Sequence, residues 1–247
     1  MRTREATPEH LSRRFPTTSW TMVATAARDS SGSVGALSKL CEAYWFPVYA
    51  FIRRRGHSRE AAEDLCQEFF ATFLENGALA GARPERGKFR SFLMASVTNF
   101  LANQWDREHA LKRGGGNTML SLDFETSENR YSREPSHDLT PEAVFERHWA
   151  LALLDRVLAR LRDEHSRKGH VAQFDLLSPF LTGDHDRSSY DRVAVALDMS
   201  ESAARTAVHR LRRRYAELVR EEIAAVVADP QEVEGEIRFL VAALERA

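Results

Sequence analysis

The sequence has little cysteine, only Cys41 and Cys66 among 247 residues. Two cysteines cannot form the disulfide framework of a small secreted domain or a cysteine-rich zinc site. Long apolar runs are missing as well. The segment Leu65–Leu74 is interrupted by Gln67 and Glu68, and no run approaches the roughly 20 apolar residues of a membrane span. We therefore expect no structural disulfide, no bound metal and no insertion into a membrane.

The sequence also lacks a charge excess and the motifs of common active sites. Its formal net charge is −1 at pH 7, so the whole molecule is not a polycation that coats nucleic acid. The triple glycine Gly114–Gly116 is not followed by the Lys-Ser/Thr of a phosphate loop. His165, His170 and the triplet Asp184-His185-Asp186 lack metal-binding spacing. We predict that the protein is not an enzyme and carries no cofactor.

The N-terminal segment MRTREATPEHLSRRF contains basic residues but no apolar run. A secretory signal needs such a run after its basic residues. A soluble, cytoplasmic protein is therefore expected.

Helical periodicity runs through most of the chain, and no segment alternates with the β period of two. A polar, glycine-containing stretch, Gly114–Thr140, separates two helical blocks, and Thr140-Pro141 is a favourable start for the second. The predicted fold is all-α, with two helical domains joined by a flexible linker. The predicted boundaries are 1–113 for the first domain, 114–140 for the linker, 141–215 for the second domain and 216–247 for an acidic helical extension.

The segment Ser188–Tyr215 predicts a helix-turn-helix in the second domain. A short turn, Asp198-Met199, separates two helices, and Ser200 is well placed to cap the second. The inward faces carry apolar residues at helical spacing: Tyr190, Val193, Ala194 and Leu197 in the first helix, then Ala204, Val208, Leu211 and Tyr215. The outer faces of the second helix are rich in arginine. This pattern favours a helix that enters the DNA major groove; an ordinary helix pair with a solvated basic face is the alternative.

Two contrasting helices are predicted in the first domain. The first, Glu60–Asn76, has five acids and no base between positions 60 and 75. Its apolar stripe consists of Leu65, Phe69 and Phe73. Phe70 and Leu74 widen that stripe, so a partner surface and simple burial are both open.

The second predicted helix, Lys88–Arg113, combines amides, aromatic residues and bases. Asn99, Asn103 and Arg107 form a polar strip at i, i+4 and i+8. Amides read base edges, aromatic rings stack on bases and cations hold phosphates, so this composition suits single-stranded nucleic acid. A solvated strip of amides is the alternative. The core side is expected to consist of Phe89, Leu93, Val97, Phe100, Leu101 and Gln104-Trp105.

Three motifs, in order, resemble the extracytoplasmic-function (ECF) sigma factors of bacterial RNA polymerase, members of the sigma-70 family. EDLCQEFFATFL (Glu63–Leu74) is similar to the family's helix that grips the polymerase clamp helices. FRSFLMASVTNFLANQWDRE (Phe89–Glu108) resembles the helix that engages the melted −10 element. YDRVAVALDMSESAARTAVHRLRRRY (Tyr190–Tyr215) resembles the segment that reads the −35 element. The resemblance implies a sigma factor that directs core polymerase to promoters and assists melting of the −10 element.

The resemblance also implies roles for individual residues. The core polymerase contacts would be Asp64, Gln67, Glu68 and Phe70. The −10 DNA contacts would be Asn99, Asn103 and Arg107, with loop Gly77–Gly87 helping to form a base pocket. The −35 DNA contacts would be Ser202, Arg205, Thr206, His209, Arg210 and Arg213. The implied partners are promoter DNA and core polymerase, through its β′ clamp helices and β flap; an anti-sigma factor or a regulatory kinase is left open.

The chain departs from the family pattern in several places. Phe92 stands where a Trp is usual, Asp198 where a turn glycine is common, and Ala204 where a Val is usual. The segment Leu161–Phe180 and the tail after Tyr215 are longer than is typical. A conventional two-domain helix-turn-helix regulator, acting without replacing a sigma factor, is the alternative function.

Charge is segregated near the C-terminus. Residues 201–220 contain six Arg and two Glu, a net of +4, whereas residues 221–247 contain seven acids and two Arg, a net of −5. Two tail helices are expected, Ala216–Ala228 and Glu232–Arg246. One hypothesis is that the acidic tail folds back onto the basic helix; a tail that merely packs on the second domain is the alternative.

Overall fold

The computed structural model describes residues 33–75, 82, 87–110, 131, 138–182, 187–227 and 229–246, with the backbone alone at 33–39, 74, 106–110, 187 and 188. These residues form eight α-helices and no strand, which confirms the all-α prediction. The helices are α1 Ser33–Arg54, α2 Arg59–Glu75, α3 Phe89–Ala110, α4 Pro141–Arg167, α5 Val171–Leu177, α6 Arg187–Ala196, α7 Glu201–Ala224 and α8 Val233–Glu245. Most of the predicted linker, and most of loop Gly77–Gly87, lie outside the described residues.

Helix α1 forms the centre of the N-terminal core and packs against both α2 and α4. Its residues from Leu40 to Ile52 are mostly buried. Aromatic contacts join it to α4: the ring centroids of Phe51 and Phe145 are 6.4 Å apart, and those of Phe46 and His148 are 4.6 Å apart. The buried residues of the two predicted helical blocks therefore belong to one hydrophobic cluster. The division into two domains stays a prediction.

Helix α4 connects the two blocks because it contacts α1, α5, α7 and α8. It begins where the sequence predicts: the Thr140 Oγ1 accepts a hydrogen bond from the Ala143 N–H at 3.2 Å, and Pro141 occupies the first turn. The helix continues to Arg167. Its buried face includes Phe145, Trp149 and Leu153, whereas Leu158 is exposed.

Helix α7 is longer than expected. It runs without a break from Glu201 to Ala224, so the prediction of a separate helix Ala216–Ala228 is wrong. Leu218 and Ile223 continue the inward stripe of α7 and are fully buried, and no helix breaker occurs before Asp229-Pro230. There the Asp229 carboxylate accepts a hydrogen bond from the Gln231 N–H at 2.8 Å, and a 3₁₀ turn, Pro230–Glu232, leads into α8.

The acidic helix α8 packs against α4 and α7, and its charged side chains pair with residues outside the DNA-reading part of α7. Glu236 pairs with Lys88 and Arg90, and Glu234 pairs with Arg220. The acidic tail therefore meets the basic helix at Arg220, and its folding back onto the exposed arginines of that helix stays a hypothesis. The basic residues at the start of α3 hold Glu236.

Candidate polymerase and nucleic-acid interface

The start of α2 is stabilised by local hydrogen bonds. The Ser58 Oγ accepts a hydrogen bond from the Ala61 N–H at 3.2 Å, as a capping serine does. Hydrogen bonds from its own backbone N–H and from Ser58 lower the pKa of the Glu60 carboxyl. Glu63 is paired with Arg59 at 2.8 Å. These two acids near the start of α2 therefore have a structural role in beginning the helix.

The outer face of α2 presents part of the predicted polymerase surface. Asp64 is exposed, and Gln67 and Glu68 are half-buried, so these three side chains can meet a partner. Phe70 cannot, because its side chain is 0% exposed. Its prediction as a polymerase contact is corrected by the structure, which places it in the core.

The phenylalanines of α2 pack mainly on each other and on α3. The Phe69 ring centroid lies 5.2 Å from that of Phe70, 5.3 Å from that of Phe73 and 5.5 Å from that of Phe100. Edge-to-face and tilted pairs at these distances are favourable. Of the two readings left open for this apolar surface, burial is correct for Phe69, Phe70 and Phe73. The Leu74 side chain lies outside the described residues.

Helix α3 presents the predicted amide strip to solvent. Asn99 and Asn103 are both exposed, one helical turn apart, while Leu93, Val97 and Leu101 face the core. The Arg107 side chain lies outside the described residues. Phe92, which stands where the family has Trp, is half-buried between Phe73 and Phe89, with centroid distances of 6.0 and 6.1 Å.

The C-terminal half of α3 contains an exposed aromatic residue that the sequence assigned to the core. Trp105 is 63% exposed, so that prediction is wrong. It lines a surface cavity of about 450 Å³ together with Arg55, His57, Leu65, Leu101 and Gln104. Leu101 and Trp105 are four residues apart, so helical spacing places both on the same side of α3. Only Leu101 is covered by neighbouring residues, and spacing alone cannot predict that difference.

The turn between α6 and α7 lies at the predicted position, Asp198-Met199. Asp198 adopts a left-handed conformation, with φ +50°, and the Met199 N–H donates to the Ala194 carbonyl at 2.9 Å. This is the hydrogen bond of a Schellman cap. The Ser200 Oγ then accepts a hydrogen bond from the Ala203 N–H at 3.2 Å and caps α7. Tyr190, Val193, Ala194, Ala204, Val208 and Leu211 are buried between the two helices and their neighbours, as predicted.

The six predicted −35 residues lie on exposed positions of α7: Ser202, Arg205, Thr206, His209, Arg210 and Arg213. Arg205 is held in place, because its Cζ lies 4.4 Å from the centroid of the Tyr190 ring and it pairs with Glu201 at 2.7 Å. The Thr206 hydroxyl donates to the Ser202 carbonyl at 2.9 Å. Arg213 pairs with Glu217 at 3.1 Å. The structure thus presents a basic face whose first arginine is already ordered.

Two further arginines of α7 have structural partners. The Arg212 Nε donates to the Phe180 carbonyl at 2.8 Å. Arg214 pairs with Glu164 at 2.8 Å, Glu221 at 3.1 Å and Glu217 at 3.2 Å. The hydrogen bond from Arg214 lowers the pKa of the Glu164 carboxyl. The sequence shows a uniform run of arginines, and the structure separates the outward ones from those that hold the fold.

No group of three His, Cys, Asp or Glu side chains that could hold a metal ion occurs among the described residues; the triplet Asp184-His185-Asp186 lies outside them. No helix in the described part of the chain has the length and apolar character needed to cross a membrane.

The fold and these faces define an all-helical protein with an exposed amide strip on α3 and an exposed basic face on α7. Residues 40–110, which include most of α1 and all of α2 and α3, match the family model Sigma-70 region 2. The match supports a sigma-70 family sigma factor, in agreement with the first two motifs, which lie within the matched residues, and with it a role in promoter melting and RNA polymerase binding. Members of this family are non-enzymatic transcription initiation factors. No curated protein and no solved structure matches the chain significantly.

Proposed function

We propose that the chain is an ECF-type sigma factor that directs core RNA polymerase to specific promoters and assists melting of their −10 element. In this proposal, Asp64, Gln67 and Glu68 contact the β′ clamp helices. Asn99, Asn103 and Arg107 engage the melted −10 strand. The helix-turn-helix formed by α6 and α7 reads the −35 element beside the β flap, and the protein acts in the cytoplasm.

One observation carries the proposal: a region 2 segment and a capped helix pair with an outward basic face occur in the same chain. A net charge of −1 gives the free chain little overall attraction for DNA. Docking on polymerase would hold both DNA-binding surfaces at a fixed separation, and such tethering converts two weak contacts into a strong one. An anti-sigma factor or a regulatory kinase would be a further partner.

The test is in vitro transcription with core polymerase and a library of promoter fragments. We expect initiation only when the chain is added. Asp64→Lys should abolish most of this activity, while Glu75→Lys, the same charge change at an exposed position of the same helix, should retain it. Specific duplex binding without polymerase-dependent initiation would instead establish the conventional regulator.

A further inference from the structure

Helix α8 carries one acidic side chain into a buried site at the start of α3. Glu236 is 1% exposed, and its carboxylate accepts hydrogen bonds from the Lys88 Nζ and from the Arg90 guanidinium. Lys88 directly precedes α3, and Arg90 is the second residue of that helix. The C-terminal helix therefore reaches the helix that carries Asn99 and Asn103.

Arg90 is enclosed by aromatic rings as well as by this carboxylate. Its Cζ lies 3.9 Å from the centroid of the Phe239 ring and 4.8 Å from that of the Trp149 ring. Burial lowers the pKa of the Arg90 guanidinium, and the charge of Glu236 acts in the opposite direction. A carboxylate that loses its water needs cations around it. We call Glu236, Lys88, Arg90, Trp149 and Phe239 the Glu236 cluster.

Other contacts fasten α8 along its length. Arg147 on α4 donates to the Leu244 carbonyl at 3.0 Å and to the Arg246 carbonyl at 3.3 Å. Arg246 pairs with Glu146 at 2.7 Å, and Glu234 pairs with Arg220 on α7. These contacts join α8 to α4 and α7, whereas the Glu236 cluster joins it to α3. The helix thus spans three elements.

The two cations of the cluster lie at the start of the helix that carries the exposed amides Asn99 and Asn103. Lys88 follows loop Gly77–Gly87, the segment expected to help form the base pocket. A carboxylate and a backbone phosphate both offer anionic oxygens to ammonium and guanidinium donors. With α8 docked, Glu236 occupies those donors. With α8 displaced, a phosphate can take its place.

We propose that α8 is an autoinhibitory strap: in the free chain Glu236 occupies the Lys88–Arg90 cation pair, and this pair takes a backbone phosphate of single-stranded DNA when α8 leaves. The inference rests on the function proposed above and names a means of its regulation. Because the occupant is part of the same chain, it competes at a high effective concentration and keeps the free chain a weak DNA binder.

The test compares full-length Glu236→Gln with Glu245→Gln, which removes the same charge from an exposed position of the same helix. Binding of each variant to a labelled oligothymidylate is measured by fluorescence anisotropy over a salt series. An oligonucleotide of about 20 nucleotides is long enough to cover a typical single-strand binding site. Because Glu236→Gln frees two cations, we expect at least about threefold tighter binding and a salt slope steeper by about 0.7 for each phosphate gained. Equal affinities and equal slopes for the two variants overturn the proposal.

Removing a buried carboxylate also weakens the fold, so two further measurements keep the test decisive. Glu236→Asp retains the charge but withdraws it by one methylene, and it should bind the oligothymidylate with intermediate affinity. In the wild type, coupling is reciprocal, so saturating oligothymidylate should accelerate amide hydrogen exchange in residues 233–245. Unchanged exchange in α8, while α3 becomes protected, overturns the proposal without any substitution.

The transcription assay separates failure of the strap from failure of the proposed function. A chain that initiates transcription with core polymerase, but whose Glu236→Gln and Glu245→Gln variants bind oligothymidylate equally, refutes the strap alone. If neither the wild type nor Glu236→Gln initiates transcription, the sigma-factor function is refuted.

Discussion

Arg156 on α4 donates a hydrogen bond from Nε to the Glu222 carboxylate of α7 at 3.2 Å, and the two side chains are only 6% and 3% exposed. Removal of one member of a buried pair leaves the other without its charge partner, whereas replacement of both by apolar residues can be neutral. The pair therefore holds α7 on α4, and each of the two side chains is stable in its buried position only while the other is present.

The first prediction concerns this buried pair. Arg156→Met should lower the free energy of unfolding by about 3–5 kcal/mol, and Arg156→Met with Glu222→Leu should recover most of that loss. Arg160→Met provides the control, because Arg160 pairs with Glu221 at the surface of the same two helices and should cost less than about 1 kcal/mol. Urea denaturation measures all three. A double variant no more stable than the single one would contradict the prediction.

The second prediction concerns the turn before α7. Asp198 has φ +50°, a conformation that costs L-residues roughly 1–2 kcal/mol and glycine little. Asp198→Gly should raise stability by about 0.5 kcal/mol, since the greater freedom of glycine in the unfolded chain offsets part of the gain. Asp191→Gly, inside α6, should destabilise instead. Thermal melting distinguishes these outcomes, and a less stable Asp198→Gly would exclude backbone strain at this turn.

The third prediction separates two arginines of α7. Arg210 is exposed and forms no side-chain hydrogen bond to a described residue, whereas Arg214 is bound by three acids. If Arg210 contacts a base, Arg210→Ala should weaken the binding of the polymerase complex to the promoter by about 1–3 kcal/mol. If Arg210 contacts a phosphate, the same substitution should reduce the slope of log affinity against log salt concentration by about 1. Arg214→Ala should lower stability and leave DNA affinity within about twofold. Electrophoretic mobility shift measurements over a salt series test both, and equal losses for the two variants would count against the assigned roles.

The fourth prediction concerns acid stability. Arg214 lowers the pKa of Glu164 below its ordinary value of 4.5, so the folded chain favours the ionised carboxylate more than the unfolded chain does. The resulting stabilisation is complete above about pH 4.5 and is lost as the pH falls through the lowered pKa. Glu164→Gln should be less stable than the wild type at pH 7, and the two should converge as the pH falls below 4.5 and through the lowered pKa of Glu164. Urea midpoints across this range measure the convergence; a constant difference would show that the carboxylate does not act through its ionisation.

Capping residues and helical spacing in the sequence predict helix starts and buried helix faces, because these features depend on residues close together in the chain. Thr140-Pro141 and Ser200 mark the starts of α4 and α7, because a capping hydroxyl bonds to a backbone N–H three residues away. The spacing of Val193 and Ala194 predicted the buried face of α6 for the same local reason. The exposed amides on α3 were found from their spacing as well.

Which side chains are buried, and which pair over long distances in the sequence, depends on tertiary contacts that local sequence patterns do not predict. Phe70 follows Phe69 directly, and both rings are buried because α2 packs against α1 as well as α3. Trp105 falls on an uncovered part of α3 although its spacing matches that of a core residue. Glu236 meets Lys88 and Arg90 across 148 and 146 positions of sequence, a distance at which no periodic pattern connects residues.

The unbroken course of α7 has a mechanical consequence. At a rise of 1.5 Å per residue, its 24 residues form a rod of about 36 Å. The outward arginines occupy one end of this rod, and Glu222 anchors the other end on α4. Because the pairs Arg214–Glu164 and Arg156–Glu222 hold the C-terminal half of α7 on α4, these two contacts set the direction in which the exposed arginines at its other end point.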